Sequence, residues 1–123
     1  MAYFETLNVW QQAKQLTRYV YEMTQNISDW GFRDQIQRAS VSIMNNIAEG
    51  SESGSGPSYV RYLYHSKGSC AEVRSMLYLS IDFNYCTVER GNEMIALCKM
   101  ISAGLNRMIN HIKQQQAPEL SME

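Results

Sequence analysis

Residues 35–50, QIQRASVSIMNNIAEG, combine an apolar stripe with a separate row of polar side chains. The stripe begins just before this stretch and has helical spacing, with members at Phe32, Ile36, Ala39, Ile43 and Ile47. This spacing predicts a helix from Phe32 or Arg33 to Glu49. The glycine that follows, Gly50, is predicted to end that helix in a left-handed conformation.

Three other segments show apolar spacings that alternate between three and four residues, which is typical of packed helices. They are predicted to run from about Glu5 to Asn26, from Pro57–Ser58 to about Phe83, and from Val88 to about Lys113. Short connections at 26–31, 51–56 and 84–87 require neighbouring helices to be antiparallel. The sequence therefore predicts an all-α fold, an antiparallel up-down-up-down four-helix bundle over residues 1–113, with a frayed tail at 114–123.

Composition limits the classes of function. The 123 residues carry a formal net charge of −1, so any nucleic-acid binding needs a local basic patch or one concentrated by oligomer symmetry. Cys70, Cys86 and Cys98 show no CxxC spacing and are expected to be reduced thiols. Neither a signal peptide nor an apolar run long enough for a membrane span is recognised, so we expect a soluble cytoplasmic protein.

A polar stripe on the second and third helices needs an explanation. Its members are Arg38, Ser42, Asn46 and Glu49 on the second helix and Arg61, Tyr64, His65, Gly68 and Glu72 on the third. A hairpin about the Ser51–Gly56 loop would place Glu49 opposite Arg61, Ser42 opposite Gly68, and Arg38 opposite Glu72. We predict a structural polar network with two interhelical salt bridges, and close backbone approach at Gly68 and Ser69. A ligand or nucleic-acid site is the alternative.

No catalytic constellation is evident. The Ser51–Gly56 segment lacks the GxxxxGK[ST] pattern of a phosphate-binding loop, and no predicted strand precedes it. His65 and His111 lack the paired Glu-x-x-His motifs of bundle metal sites, and no GxSxG elbow occurs. We therefore predict a protein that is not an enzyme and needs no cofactor or metal.

The run from Gln35 to Ile43, followed by Asn45-Asn46-Ile47-Ala48-Glu49-Gly50, Gly68-Ser69 and Glu72, resembles a known family. These are the bacterial four-helix bundle proteins encoded by intervening sequences within 23S rRNA genes, and the resemblance covers about residues 3–113. That family is similar to the accessory protein of diversity-generating retroelements. The resemblance implies homopentameric assembly, and contacts to nucleic acid and to a reverse transcriptase in the retroelement case.

Two surface features favour partners independently of the family. The fourth helix has a broad apolar stripe that includes Ile95 and Ile109, and aromatic residues expected on the surface would suit an interface between copies: Trp10, Tyr19, Trp30, Tyr59 and Tyr62. Between Met94 and Pro118 the chain has cations and no acidic residue. The candidate nucleic-acid contacts are Lys14, Arg18, Arg74, Lys99, Arg107 and Lys113, unless these are simply solvated helix faces.

Three functions remain open at this point. The first is a non-enzymatic oligomeric scaffold that binds RNA or DNA weakly through basic helix surfaces. The second is a protein-interaction adaptor that binds no nucleic acid. The third is a small-ligand binder that uses Arg38, Asn46, Glu49 and Arg61.

Overall fold

The computed structural model describes the backbone of residues 3–122 and the side chains of residues 3–116. A short 3-10 turn, Phe4–Thr6, precedes four helices: α1 (Asn8–Thr24), α2 (Trp30–Ser51), α3 (Gly56–Asp82) and α4 (Val88–Met122). Each helix packs against two neighbours in cyclic order, and α1 does not contact α3. The predicted four-helix bundle is confirmed, and none of the helices described is long and apolar enough to cross a membrane.

Contacts between neighbouring helices show their antiparallel directions. Thr24 of α1 meets Gln37 early in α2, whereas Thr17 meets Ser40. Between α2 and α3, Gln35 contacts Glu72 and Ser42 contacts Ser69. In each pair, one residue number rises while the other falls, as an up-down-up-down bundle requires.

The core is continuous and lies along the predicted stripes. Its largest fully buried side chains come from all four helices: Leu16, Val20, Ile36, Ile43, Ile47, Leu63, Val73, Leu77, Met94, Ile101, Leu105 and Ile109. Burial of this apolar surface, rather than intrinsic helix propensity, supplies most of the stability of such helices. Ile95 and Ile109 also lie in this core, so the breadth of the α4 stripe is used within one chain.

Caps explain where the helices begin. The Asp29 carboxylate accepts a hydrogen bond from the Phe32 amide, and the Ser55 hydroxyl accepts one from the Ser58 amide. At the start of α4, the Thr87 hydroxyl accepts a hydrogen bond of 3.1 Å from the Arg90 amide. Each side chain satisfies a backbone donor that the first helical turn leaves free.

The prediction that Gly50 ends α2 in a left-handed conformation is wrong. Gly50 is helical and buried, and α2 continues through Ser51. A methyl group at Gly50 would lie 2.8 Å from the Tyr62 Cβ and 3.0 Å from the Tyr59 Cδ1. The glycine is therefore needed for the close approach of α3, and the left-handed glycine is Gly54, at φ 88° in the loop.

The fourth helix is longer than predicted, because its helical backbone continues from Lys113 to Met122. Gln114, Gln115 and Gln116 are good helix formers, and no glycine interrupts them. The prediction that residues 114–123 are frayed falls on a segment in which only the side chains of residues 114–116 are among those described.

Candidate nucleic-acid interface and polar groove

The structure divides the six predicted nucleic-acid contacts between two sides of the bundle. All six side chains are exposed. Because α1 and α3 are diagonal to each other, residues on their outer faces cannot form one continuous patch. Three of the six form a group that we name the opposite set: Lys14, Arg18 and Arg107. Lys14 and Arg18 lie on α1, and Arg107 lies on the side of α4 that faces Leu7 and Val9.

The other three gather along the boundary between α3 and α4. Arg74 and Lys67 line a cavity of about 180 Å³ there, together with Ser102. Lys99 lies one helical turn before Ser102. Lys113 lies on the same stripe of α4, about four turns after Lys99. We name this row the basic seam: Lys67, Arg74, Lys99 and Lys113.

An exposed aromatic residue lies within the basic seam. The Lys113 Nζ donates a hydrogen bond of 2.9 Å to the Tyr64 hydroxyl. The same ring has the Lys113 Nζ at 5.1 Å and the Lys67 Nζ at 5.9 Å from its centre. The hydrogen bond from Lys113 and its charge lower the pKa of Tyr64, so the local potential is positive.

Lys67 was not among the predicted contacts, and Tyr64 was predicted to lie on the α2 side of α3. The missing information was the register of α3 against α4, which decides that Lys67, Arg74 and Lys113 share one boundary. The i to i+3 spacing of Tyr64 and Lys67 was the one available signal.

The polar stripe of α2 forms a network of a different kind from the predicted one. The Ser42 and Ser69 hydroxyls hydrogen-bond at 2.9 Å, and the Asn46 amide donates to the Ser42 hydroxyl at 2.9 Å. The Ser66 hydroxyl, which is fully buried, donates to the Ile43 carbonyl at 2.8 Å. Small hydroxyl side chains therefore join α2 to α3, one residue away from the predicted pairing of Ser42 with Gly68.

The predicted salt bridges, Arg38 with Glu72 and Glu49 with Arg61, do not form. Among the described residues both ion pairs belong to Arg90, which meets Glu22 at 3.2 Å and Glu93 at 3.0 Å. The four predicted partners are all exposed, and an exposed ion pair gains too little to hold two long side chains in one geometry. The Glu72 carboxylate instead accepts a hydrogen bond from the Gln35 amide at 3.1 Å.

Gly68 does not mediate a close helix approach, contrary to the prediction. A methyl group built there would have no atom within 4 Å. The glycine is exposed on the outer face of α3. The neighbouring Ser69, through its hydroxyl, makes the contact with α2.

Two further concave surfaces could hold a small ligand. A shallow groove of about 400 Å³ is lined by Arg38, Ser42, Asn46 and Glu49 and bounded by Tyr21. Arg61 of the predicted ligand cluster does not line it. A larger cavity of about 730 Å³ lies at the end of the bundle beside the α2–α3 loop, with Leu7, Tyr59, Met108 and Ile112 among its lining residues.

The histidines do not mark a metal site. His65 and His111 are exposed, and the His111 ring nitrogen hydrogen-bonds the Gln115 amide at 3.1 Å. Among the side chains that the structure describes, no group of three or more histidine, cysteine or acidic residues converges.

Comparison with known proteins agrees with this architecture. The crystal structure, at 1.70 Å resolution, of a protein of unknown function from the S23 ribosomal protein family of Bacteroides thetaiotaomicron VPI-5482 superposes with a TM-score of 0.76. It shares 22% identity and covers 82% of this chain and 97% of its own, so it shows a common fold. No curated protein matches the sequence. The model of the 23S rRNA-intervening sequence protein family matches residues 5–107, and the chain belongs to that family.

Proposed function

We propose that this protein is a non-enzymatic, self-associating cytoplasmic scaffold that binds RNA or DNA through the basic seam. The observation that carries the proposal is the row of four cations from two helices, two of which, Lys67 and Lys113, lie 5.9 Å and 5.1 Å from the centre of the exposed Tyr64 ring. The overall charge of −1 gives no general attraction to phosphates, so affinity would depend on this one surface.

The chemistry of the seam favours single strands over duplexes. Tyr64 is 46% exposed, and Tyr78, one turn beyond Arg74, is 51% exposed. Bases of a single strand can stack on such rings while neighbouring cations contact the backbone, whereas a duplex keeps its bases stacked internally. We therefore expect single-stranded RNA or DNA to bind more tightly than a duplex of the same length.

A pair of matched variants tests the proposal. One replaces Arg74, Lys99 and Lys113 by alanine, and the other replaces the opposite set by alanine: Lys14, Arg18 and Arg107. Both lower the formal net charge by three. Binding of a labelled single-stranded oligonucleotide is followed by fluorescence anisotropy across a salt series.

We expect the seam variant to lose most of its affinity and to flatten the slope of log K against log salt by about two, at about 0.7 for each phosphate contact. The opposite-set variant should bind as the unchanged protein does. Absence of salt-dependent binding to any oligonucleotide, or equal losses in both variants, would overturn the proposal.

Self-association would use a different surface. Trp30, Phe83 and Val88 are 65%, 53% and 57% exposed, and all lie at the end of the bundle that holds the α1–α2 and α3–α4 connections. Edge-to-face contacts of Tyr85 with Phe32 and Phe83 extend this surface, which we name the apolar end. Exposed apolar surface of this kind is typical of protein contacts.

Of the five aromatic residues predicted for an interface, only Trp30 is exposed. Trp10, Tyr19 and Tyr59 pack against the core, and Tyr62 is half-buried beside Gly50. The case for an oligomer therefore depends on the apolar end and on the pentamer that the family resemblance implies.

Sedimentation velocity of a Trp30→Ser, Phe83→Ser variant should show smaller particles than the unchanged protein. Met100→Ser, which removes an exposed apolar residue from the face of α4, should not.

The second candidate function, a protein-interaction adaptor that binds no nucleic acid, is favoured by the apolar end alone. It predicts no salt-dependent binding to single-stranded or duplex oligonucleotides, together with a loss of assembly in the Trp30→Ser, Phe83→Ser variant. The anisotropy titration described above distinguishes the two candidates.

A further inference from the structure

Two of the three cysteines meet across the interface between α3 and α4. Cys70 and Cys98 are 1% and 0% exposed, and the Cys70 thiol donates a hydrogen bond of 3.2 Å to the Cys98 carbonyl oxygen. No disulfide joins them. Cys86 lies apart, half-buried in the connection between the two helices, and provides an internal comparison.

A small cavity lies against both cysteines. Its volume is about 180 Å³, and Cys70, Cys98, Lys67 and Arg74 are among its lining residues. A water molecule occupies roughly 30 Å³ in the liquid, so hydrogen peroxide fits this space. Because both cysteines are almost fully buried, the sulfur of a tripeptide thiol such as glutathione reaches them less readily. The geometry therefore favours a small, uncharged oxidant over thiol-disulfide exchange.

The surroundings give the two thiols different tendencies to ionise. A hydrogen bond accepted from the Cys98 thiol and the charge of Arg74 lower the pKa of Cys70, although burial opposes them. Donation of a hydrogen bond from the Cys98 thiol to the Cys70 sulfur, together with burial, raises the pKa of Cys98. The thiolate is the nucleophilic form of cysteine, so Cys70 is the thiol prepared for attack and Cys98 remains protonated beside it.

We propose that Cys70 and Cys98 form a peroxide-sensitive thiol pair that becomes a disulfide between α3 and α4. In the first step the Cys70 sulfur attacks one oxygen of a hydroperoxide, the O–O bond breaks, and Cys70 sulfenic acid and water (or an alcohol) form. In the second step the Cys98 sulfur attacks the sulfenic sulfur, the S–O bond breaks, and the disulfide and a second water form. The two thiols are oxidised and the hydroperoxide is reduced.

The site lies directly beneath the basic seam, because Lys67 and Arg74 line the same cavity. A disulfide there would fix the spacing of α3 and α4 along the surface proposed to bind nucleic acid. The thiol chemistry itself does not depend on that function, and its test uses no nucleic acid.

The experiment treats the full chain with hydrogen peroxide and measures intact mass, free thiols after unfolding, and the tryptic peptides. We expect a loss of two hydrogen masses, a loss of two of the three thiols, one peptide pair joined through Cys70 and Cys98, and reversal by dithiothreitol. Cys86→Ser should react in the same way, since Cys86 takes no part.

Variants at the two sites assign the steps. In Cys98→Ser, dimedone should trap a sulfenic acid at residue 70, whereas Cys70→Ser should give no sulfenic acid at residue 98. Retention of both thiols in the unchanged protein, under conditions that oxidise N-acetylcysteine, would overturn the proposal. So would a disulfide formed only between chains or only through Cys86. These measurements on the unchanged protein decide the question even if a variant folds poorly.

Discussion

The guanidinium of Arg90 lies 3.8 Å from the centre of the Tyr19 ring. The same group forms ion pairs with Glu22 of α1 and with Glu93 in its own helix. Arg90 follows the Thr87 cap by three residues, so these contacts fasten the first turn of α4 to the last turns of α1. These contacts stabilise the interface between α1 and α4, the two neighbouring helices that are furthest apart in sequence.

Replacing Arg90 by alanine should therefore lower the free energy of unfolding by about 1 kcal/mol, since cation–π contacts at exposed sites contribute about 0.5–1 kcal/mol and exposed ion pairs less. Arg33→Ala is the matched control, because Arg33 stacks at 4.7 Å on the exposed Trp30 ring and forms no ion pair with any of the described side chains. Urea unfolding followed by circular dichroism measures both. An Arg33→Ala loss as large as that of Arg90→Ala would contradict the assigned role.

Two buried serines offer a second comparison. The Ser66 hydroxyl donates to a carbonyl of α2, whereas the Ser80 hydroxyl donates at 2.9 Å to Met76 within its own helix. Ser66→Ala removes a contact between helices and should cost about 1 kcal/mol. Ser80→Ala removes only a local bond that competes with the helix and should change stability by less than about 0.5 kcal/mol. Equal effects in urea unfolding would show that the α2–α3 bond adds nothing specific.

The sequence predicted the fold better than the contacts at its surface. Apolar periodicity determines which side of each helix is buried, so the bundle and the α2–α3 register followed to within one residue at Ser42. It does not determine which partner an exposed Arg38 or Glu72 chooses, because several arrangements of long side chains have similar free energies. Nor does it give the α3–α4 register, so Lys67 was missed and the meeting of Cys70 with Cys98 was not foreseen.

Gly50 and Gly68 show the same limit at the level of the backbone. Both lie inside helices, but a methyl group at Gly50 would meet the Tyr62 Cβ at 2.8 Å, while one at Gly68 would meet nothing within 4 Å. Gly68→Ala should stabilise the protein by up to about 1 kcal/mol through helix propensity. Gly50→Ala should destabilise it by about 1–3 kcal/mol, because α3 must shift away. Thermal and urea unfolding of the pair test this, and stabilisation by both changes would contradict the close approach at Gly50.

Tyr59 and Tyr64 should make opposite contributions to stability at alkaline pH. Burial raises the pKa of Tyr59 above its ordinary value of 10.0, although a hydrogen bond with Ser51 opposes this. A raised pKa in the folded state contributes stability that is complete below pH 10 and is lost as the pH rises through the folded value. The hydrogen bond and charge of Lys113 lower the pKa of Tyr64. Tyr64 therefore ionises at a lower pH in the folded chain than in the unfolded chain, and its contribution to stability increases as the pH rises towards the unfolded value. Urea midpoints measured from about pH 9 to about pH 11 should therefore fall less steeply in Tyr59→Phe, and more steeply in Tyr64→Phe, than in the unchanged protein. Parallel curves for the three proteins would mean that neither phenol titrates differently in the folded and unfolded chains.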